Sequence, residues 1–320
     1  MNNEALYDCF LEILSTKYPK RMELSKALMD LLYLEREAVY RRLRKDVIFP
    51  VHEVAKIASE WNISLDEVVG INSGKVPFQM QVINYLNPSK EEFINMQKRV
   101  KLLEHIEFSS NTEFMEVSNR LPRPISTGFM QLYRFEIFNW AYQYGNEETY
   151  RKFSKVFLSK ELEAEFQEYD KIMKYVTNSY FILDRNTFRN MVSNIKYFHS
   201  ILLITDEEKD ILKKDLFSLL DYLITIANKG CYPETQNKIY LYISQLNVDT
   251  NYSYFYTEQL KTCRIHAFGK YDISSFDLEM VENFRTWMQL KKRTAIQISE
   301  VDAKSRIDFF SEQQQVVETL

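Results

Sequence analysis

The sequence predicts a mainly α-helical protein: a five-helix N-terminal domain, a larger helical domain, and a small antiparallel β-sheet near residues 238–270. Three observations predict this class. Glycine is scarce, with 6 in 320 residues where average usage gives roughly 22, and few chain breakers favour long helices. Apolar residues recur at helical spacing along most of the chain. After Gly230 the apolar period changes to two, which is typical of strands.

Apolar residues at helical spacing predict five helices in the N-terminal region. Pro50 suits the first turn of the fourth helix, and Ser64 with Glu67 forms a capping-box pattern for the fifth. The stretch GINSGKV at 70–76 has two closely spaced glycines and is typical of a linker. We therefore expect one domain over 1–72 and another over 73–320. The five helices are expected at 4–17, 22–32, 35–45, 50–61 and 64–69.

A long helix is predicted from Ser89. Its apolar residues have a 3-4-3 spacing close to a heptad, which fits either packing in a core or a short dimer seam. Those residues are Phe93, Met96, Val100 and Leu103. Helical patterns then continue over 112–228, separated by short breaks.

The segment KIYLYISQLNV at 238–248 alternates apolar residues with tyrosine and serine, which predicts a strand. NYSYFYT and TCRIHAFG are further strand-like pieces, so we expect a small antiparallel sheet here. Helical spacing returns over 274–291, and the sequence EVDAKSRIDFFSEQQQVVETL predicts a terminal helix.

Searches for catalytic and metal-binding patterns find none. The three cysteines lie far apart, the four histidines form no H-E-x-x-H motif, and no phosphate-binding glycine loop or G-x-S-x-G elbow occurs. On a strand, Cys263 and His266 would point to opposite faces and could not share a metal ion. We therefore expect no enzyme, no catalytic or metal-binding residue, and no cofactor.

The start of the chain has no signal-peptide pattern. The strongest apolar run, LFSLLDYLITIA at 216–227, contains Asp221 and is too short to span a bilayer. These features predict a cytoplasmic protein with no membrane partner.

One short segment carries a concentration of positive charge. The stretch LEREAVYRRLRKD at 34–46 holds five cations between Arg36 and Lys45, although the whole chain has a net charge of −4. If Val39 and Leu43 face inward, the remaining residues form an exposed basic face. Such a face is often only solvated, but arginine on a helix also suits duplex DNA, where it reads guanine edges bidentately.

The surrounding sequence supports the DNA interpretation. The segments ALMDLLYLEREAVYRRLRKD and PVHEVAKIASEWNISLDEVVG resemble the phage-repressor-type (Xre-like) helix-turn-helix domain over residues 22–69. Met29 replaces a small residue and Tyr33 replaces the glycine usual at the turn. The resemblance implies that helix 35–45 enters the major groove of double-stranded DNA. It implies DNA contacts by Ser25, Lys26, Arg36, Glu37, Tyr40, Arg41, Arg44 and Lys45, with Ser25 and Lys26 at phosphates.

The rest of the chain is less specific. The segment LYRFEIFNWAY at 132–142 and the helical end of the chain resemble the tails of long bacterial helix-turn-helix regulators. The function of such tails is generally unassigned. We expect the domain over 73–320 to form a homodimer, because a single helix-turn-helix domain presents only one recognition helix and related domains bind two half-sites. The same domain is a candidate sensor for an unknown effector or protein partner. Two hypotheses follow: a sequence-specific transcriptional regulator, or a protein-interaction adaptor whose repressor-like domain does not bind DNA.

Overall fold

The computed structural model describes residues 3–61, 63, 65, 68, 78–80, 88–104, 106, 108, 111–145, 151–267 and 271–320; the side chains of 3–5, 88 and 271 are outside this description. The chain divides into two compact units, Met1–Phe78 and Gln79–Leu320. The predicted boundary at 72 and the predicted linker at 70–76 lie outside the described residues.

The N-terminal unit consists of helices packed on a small apolar core. Its helices are α1 (Asn3–Lys17), α2 (Arg21–Leu32), α3 (Arg36–Leu43) and α4 (Val51–Trp61). These four lie where the apolar spacing predicts them. Most of the predicted fifth helix is outside the described residues, and only Leu65 and Val68 of it are helical in the described part. The core consists of Phe10, Leu14, Leu24, Leu28, Val39, Phe49, Ile57, Ala58, Ile63 and Val68.

The C-terminal unit is built on one eight-stranded sheet in the order β1-β7-β6-β5-β2-β3-β4-β8. Strands β2, β3 and β4 pair in parallel, and the other pairs are antiparallel. The strands are β1 (Gln79–Met80), β2 (Glu113–Ser118), β3 (Asn178–Leu183), β4 (Lys238–Ser244), β5 (Tyr252–Tyr256), β6 (Lys261–Ala267), β7 (Tyr271–Ser275) and β8 (Ala295–Gln297).

Helices pack on both faces of this sheet. They are α5 (Pro88–Leu103), α6 (Arg123–Ser126), α7 (Met130–Tyr144), α8 (Lys160–Lys174), α9 (Thr187–Ser200), α10 (Asp206–Lys229), α11 (Leu278–Lys291) and α12 (Ala303–Glu318). Two short 3-10 turns, Phe153–Lys155 and Lys292–Thr294, complete the described elements.

The predicted fold class, mainly α with a small antiparallel sheet near 238–270, is wrong. Strands β4, β5 and β6 form where the period-two pattern predicts them, but β4 lies between β3 and β8 rather than beside β5. The prediction missed β2 and β3 within a region expected to be helical. Each has only six residues, and a short apolar run cannot be distinguished from a buried helix segment by its periodicity. The parallel pairing depends on the helical crossovers between these strands, which no local pattern specifies.

The sheet separates two apolar clusters. Alternate side chains of β2 to β5, such as Phe114, Phe181 and Phe255, join the large cluster formed with most of the helices. The opposite face packs on Val281, Phe284 and Met288 of α11.

The heptad-like residues of α5 face the large cluster. Met96, Val100 and Leu103 are 0%, 6% and 5% exposed within it, so the core-packing interpretation of this spacing is correct and these side chains are not available for a dimer seam. Among the described helices, none combines the length and the apolar character needed to cross a membrane.

Candidate nucleic-acid interface

The connection between α2 and α3 contains a left-handed residue. Tyr33 has φ 57° and ψ 40°, and Glu35 returns to extended backbone, φ −65° and ψ 150°, before α3 begins. The sequence resemblance places this turn at the position where glycine is usual. For a non-glycine residue this conformation costs about 1–2 kcal/mol of conformational free energy. The Tyr33 side chain is 86% exposed, and the Lys56 ammonium lies 4.6 Å from the centre of its ring.

The inward face of α3 is fixed by apolar packing and by one ion pair. Val39 is fully buried and Leu43 packs against the same core. The Arg42 guanidinium donates from Nε and Nη2 to both oxygens of Glu53 on α4, at 2.6 and 2.7 Å. Their side chains are only 14% and 10% exposed. Arg42 therefore joins α3 to α4 and is not available to a ligand.

Two cations at the end of α3 are paired at the surface. Arg44 Nη2 lies 2.8 Å from Glu37 Oε1, and its Nε lies 3.1 Å from Asp46 Oδ2. The Lys45 ammonium pairs with Asp8. Exposed pairs of this kind contribute about 0–1 kcal/mol. Both cations can therefore exchange their carboxylate for another anion at little cost.

The two remaining cations of the segment, Arg36 and Arg41, are exposed and form no ion pair with any residue that the structure describes. The Arg36 guanidinium carbon lies 5.3 Å from the centre of the Tyr40 ring. Hydrogen bonds with Arg36 and Ser25 lower the pKa of the Tyr40 hydroxyl. Arg36 and Tyr40 therefore present one donor-rich surface.

The predicted phosphate contacts on α2 differ in their exposure. Ser25 is only 4% exposed, and its hydroxyl donates to the Met22 carbonyl at 3.1 Å, so it supports Tyr40 from the interior. Lys26 is exposed. The sequence reasoning missed Arg21, which is exposed and lies 6.0 Å from the Tyr40 ring centre. The sequence feature that could have identified Arg21 is the pair of adjacent cations, Lys20 and Arg21, at the start of α2.

Apart from the buried Ser25, the predicted residues are exposed or partly exposed on α2, on α3 and in the two positions that follow α3. At about 100° per residue, Arg36, Glu37, Tyr40 and Arg41 spread over an arc of roughly 140° on α3, and Arg44 caps the C-terminal end of this helix. Within the described part of the chain, no group of three or more His, Cys, Asp or Glu residues lies close enough to hold a metal ion.

Comparison of the chain with known protein families, curated proteins and solved structures finds no match.

Proposed function

We propose that the chain is a sequence-specific, DNA-binding transcriptional regulator with α3 as its recognition helix. The observation that carries the proposal is the pair Arg36 and Arg41, which are exposed on α3 and have no carboxylate partner among the described residues. A helix that follows a left-handed turn and carries accessible arginines fits the width of the major groove.

The contacts divide into two groups by their position. Arg36, Tyr40 and Arg41 are assigned to base edges, since arginine pairs with guanine O6 and N7. Lys26 and Arg21, near the beginning of α2, are assigned to phosphates, which fix the register but carry no sequence information. Arg44 and Lys45 join this second group by exchanging their carboxylates for phosphate, and Glu37 is then released towards the bases.

The regulator is proposed to act in the cytoplasm as a homodimer. Each chain supplies a single recognition helix, and proteins of this geometry gain affinity by binding two half-sites about 34–36 Å apart. The surface through which two copies would pair is not assigned.

A second candidate function is a protein-interaction adaptor. It is favoured by Met22, Ile48 and Val51 of the N-terminal unit, which are 74%, 65% and 84% exposed. Exposed apolar side chains of this size suit a protein partner more than a phosphate backbone.

Selection of bound duplexes from a random DNA pool separates the two functions. The full chain should enrich a defined motif, because arginine contacts with bases discriminate between sequences. The Arg36→Ala/Arg41→Ala double variant should enrich no motif, and Arg189→Ala, an exposed arginine of α9, should enrich the wild-type motif. If the wild-type chain enriches nothing even at low salt, the DNA-binding proposal is wrong and the adaptor is favoured.

A further inference from the structure

The C-terminal unit contains a polar cavity of about 400 Å³. Its floor is the half of the sheet made by β2, β5, β6 and β7, and helices α5 to α9 supply the walls. Ligand sites in proteins are typically concave and of about 300–1,000 Å³, with a few convergent polar groups. The cavity belongs to this unit alone and does not involve the α2–α3 surface.

The floor carries one row of side chains across three neighbouring strands. Glu116 of β2 is opposite Ser253 of β5, and Ser253 is opposite Arg264 of β6. With about 4.8 Å between strands, the backbones of Glu116 and Arg264 are roughly 10 Å apart. The small serine between them leaves this space open. Glu116 and Arg264 form no ion pair with each other in the structure.

Cations gather at one end of this floor around a single carboxylate. Asp272 of β7 pairs with Arg99 of α5 and lies 3.9 Å from Arg123. Its cross-strand neighbour His266 contacts it through Nδ1 at 2.9 Å. Burial opposes the ionisation of Asp272, but Arg99, the hydrogen bond with His266 and Arg123 together hold its pKa well below the usual value. Both oxygens of Asp272 are therefore already engaged.

The Arg264 side chain has no direct partner of its own among the residues that the structure describes. Among the described residues its guanidinium forms no hydrogen bond and no ion pair, although it lines the cavity. Burial lowers its pKa and repulsion from Arg99 lowers it further, although attraction by Asp272 opposes the shift. An incompletely solvated cation without a directly paired anion costs free energy in the ligand-free protein. Such a cost is common at binding sites, where a ligand supplies the missing charge.

We propose that this cavity binds a small phosphorylated molecule, with its phosphoryl group on Arg264 and its uncharged part against the asparagines that α7 and α9 contribute to the walls. Arginine presents a planar fork of donors that matches the oxygens of phosphate bidentately. A phosphate monoester carries a charge of about −1.5 to −2 at neutral pH, which the surrounding arginines can balance.

The remaining walls suit the rest of such a molecule. Asn139 on α7 and Asn190 and Asn194 on α9 offer both donors and acceptors, as sugar hydroxyls or a base require. Trp140 and Tyr252 add flat apolar surface. The volume is large enough for a sugar phosphate or a mononucleotide, and too small for a folded protein segment.

Isothermal titration calorimetry on the full chain tests the proposal with inorganic phosphate, a hexose phosphate and a nucleoside monophosphate as probes. Sodium citrate at matched ionic strength is the control for binding of any anion. At least one phosphorylated probe should bind at a single site with millimolar or tighter affinity, and citrate should bind more weakly. Arg264→Met should weaken that binding tenfold or more. Arg189→Met should bind as the wild type does, because Arg189 is an exposed arginine on α9 that does not line the cavity.

Thermal unfolding separates a ligand-binding role of Arg264 from a structural one. If Arg264 is retained for a ligand, the ligand-free Arg264→Met variant should melt at the wild-type temperature or above, while it loses the stabilisation by the probe. A marked drop in its melting temperature would show that Arg264 holds the fold and would overturn the assignment. Failure of every phosphorylated probe to bind the wild type, or equal binding by Arg264→Met, would also overturn it. None of these outcomes depends on whether the N-terminal unit binds DNA.

Discussion

Arg42 and Arg264 are both partly buried, but their surroundings differ. Arg42 donates two hydrogen bonds to Glu53 and a third to the Ala38 carbonyl at 3.1 Å. The Arg264 guanidinium makes no hydrogen bond with the residues that the structure describes. A buried charge contributes to a fold only if its partners replace the lost water. By this criterion Arg42 belongs to the framework of the N-terminal unit, whereas Arg264 belongs to a binding site.

Removal of Arg42 should therefore destabilise the N-terminal unit. We expect Arg42→Ala to lower its unfolding free energy by about 3 kcal/mol, because Glu53 is then buried without a partner. Hydrogen exchange of the amides of α2 to α4 in the full chain measures this loss. Arg41→Ala should leave the exchange rates nearly unchanged, and Arg42→Met/Glu53→Leu should recover most of the stability. Equal effects of Arg41→Ala and Arg42→Ala would contradict the assignment.

Glu116 in the cavity floor should make the stability of the C-terminal unit dependent on pH. Burial raises the pKa of Glu116 from 4.5 to about 7, although Arg123 opposes the shift. Between these values the folded chain keeps a proton that the unfolded chain has lost. A rise in pH through this window therefore lowers the unfolding free energy, by up to about 3 kcal/mol.

Glu116→Gln removes the titrating group and should remove this loss. The difference in unfolding free energy between Glu116→Gln and the wild type should grow in favour of the variant from pH 4.5 to pH 8. Urea unfolding at several pH values gives this difference. Glu168→Gln, at a side chain that is 45% exposed, is a control that should follow the wild type. A difference that is constant with pH would count against a protonated Glu116 in the folded chain.

At the scale of elements, the sequence predicted correctly those helices and strands whose pattern is local. The apolar spacing of α1 to α4, the long helix α5 and the alternation in β4 each lie within one element. The sheet order depends on contacts between strands that are far apart in the chain: β2 pairs with β3 and with β5.

The sequence analysis missed the cavity for the same reason, since Arg99, Glu116, Arg264 and Asp272 come from four different elements. The one sequence feature that pointed towards the cavity was the strand-like pattern of β6, which places Arg264 and His266 on the same face of the sheet. Cys263 joins the apolar cluster at α11 and His266 faces the cavity, which confirms that they lie on opposite faces.

The turn before α3 provides a prediction at this scale. Tyr33→Gly should raise the unfolding free energy of the N-terminal unit by about 1 kcal/mol, because glycine adopts positive φ without a steric cost. The matched control is Tyr175→Gly: Tyr175 is also an exposed tyrosine that ends a helix, but its φ is −82°. The control should not be stabilising. Hydrogen exchange or urea unfolding measures both variants, and a destabilising Tyr33→Gly would show that the Lys56 contact outweighs the backbone cost.

At the scale of the whole molecule, the net charge is negative, and positive charge is concentrated in the segment around α3. The chain carries 41 Lys and Arg against 45 Asp and Glu, so a general attraction to nucleic acid is not expected. Affinity for DNA must then come from a few contacts on α2 and α3, and it should be strongly increased when two copies bind together.

This reasoning predicts a homodimer on DNA. In analytical ultracentrifugation, the full chain with a selected duplex should sediment as two chains per duplex, because one α3 reads only one half-site. A duplex with one half-site scrambled should lose most of its affinity. A single chain bound per duplex, with unchanged affinity for the scrambled duplex, would exclude the dimeric arrangement but not DNA binding itself.

The central claim is that Arg36 and Arg41 read bases while Lys26 contacts phosphate. The most direct test is fluorescence anisotropy of the selected duplex and a scrambled duplex at several salt concentrations. Arg36→Ala and Arg41→Ala should each lower specific binding by about 1–3 kcal/mol and relax the preference at one base position. Lys26→Ala should weaken binding to both duplexes equally and lower the salt slope by about one. Equal effects of all three substitutions on both duplexes would contradict the claim.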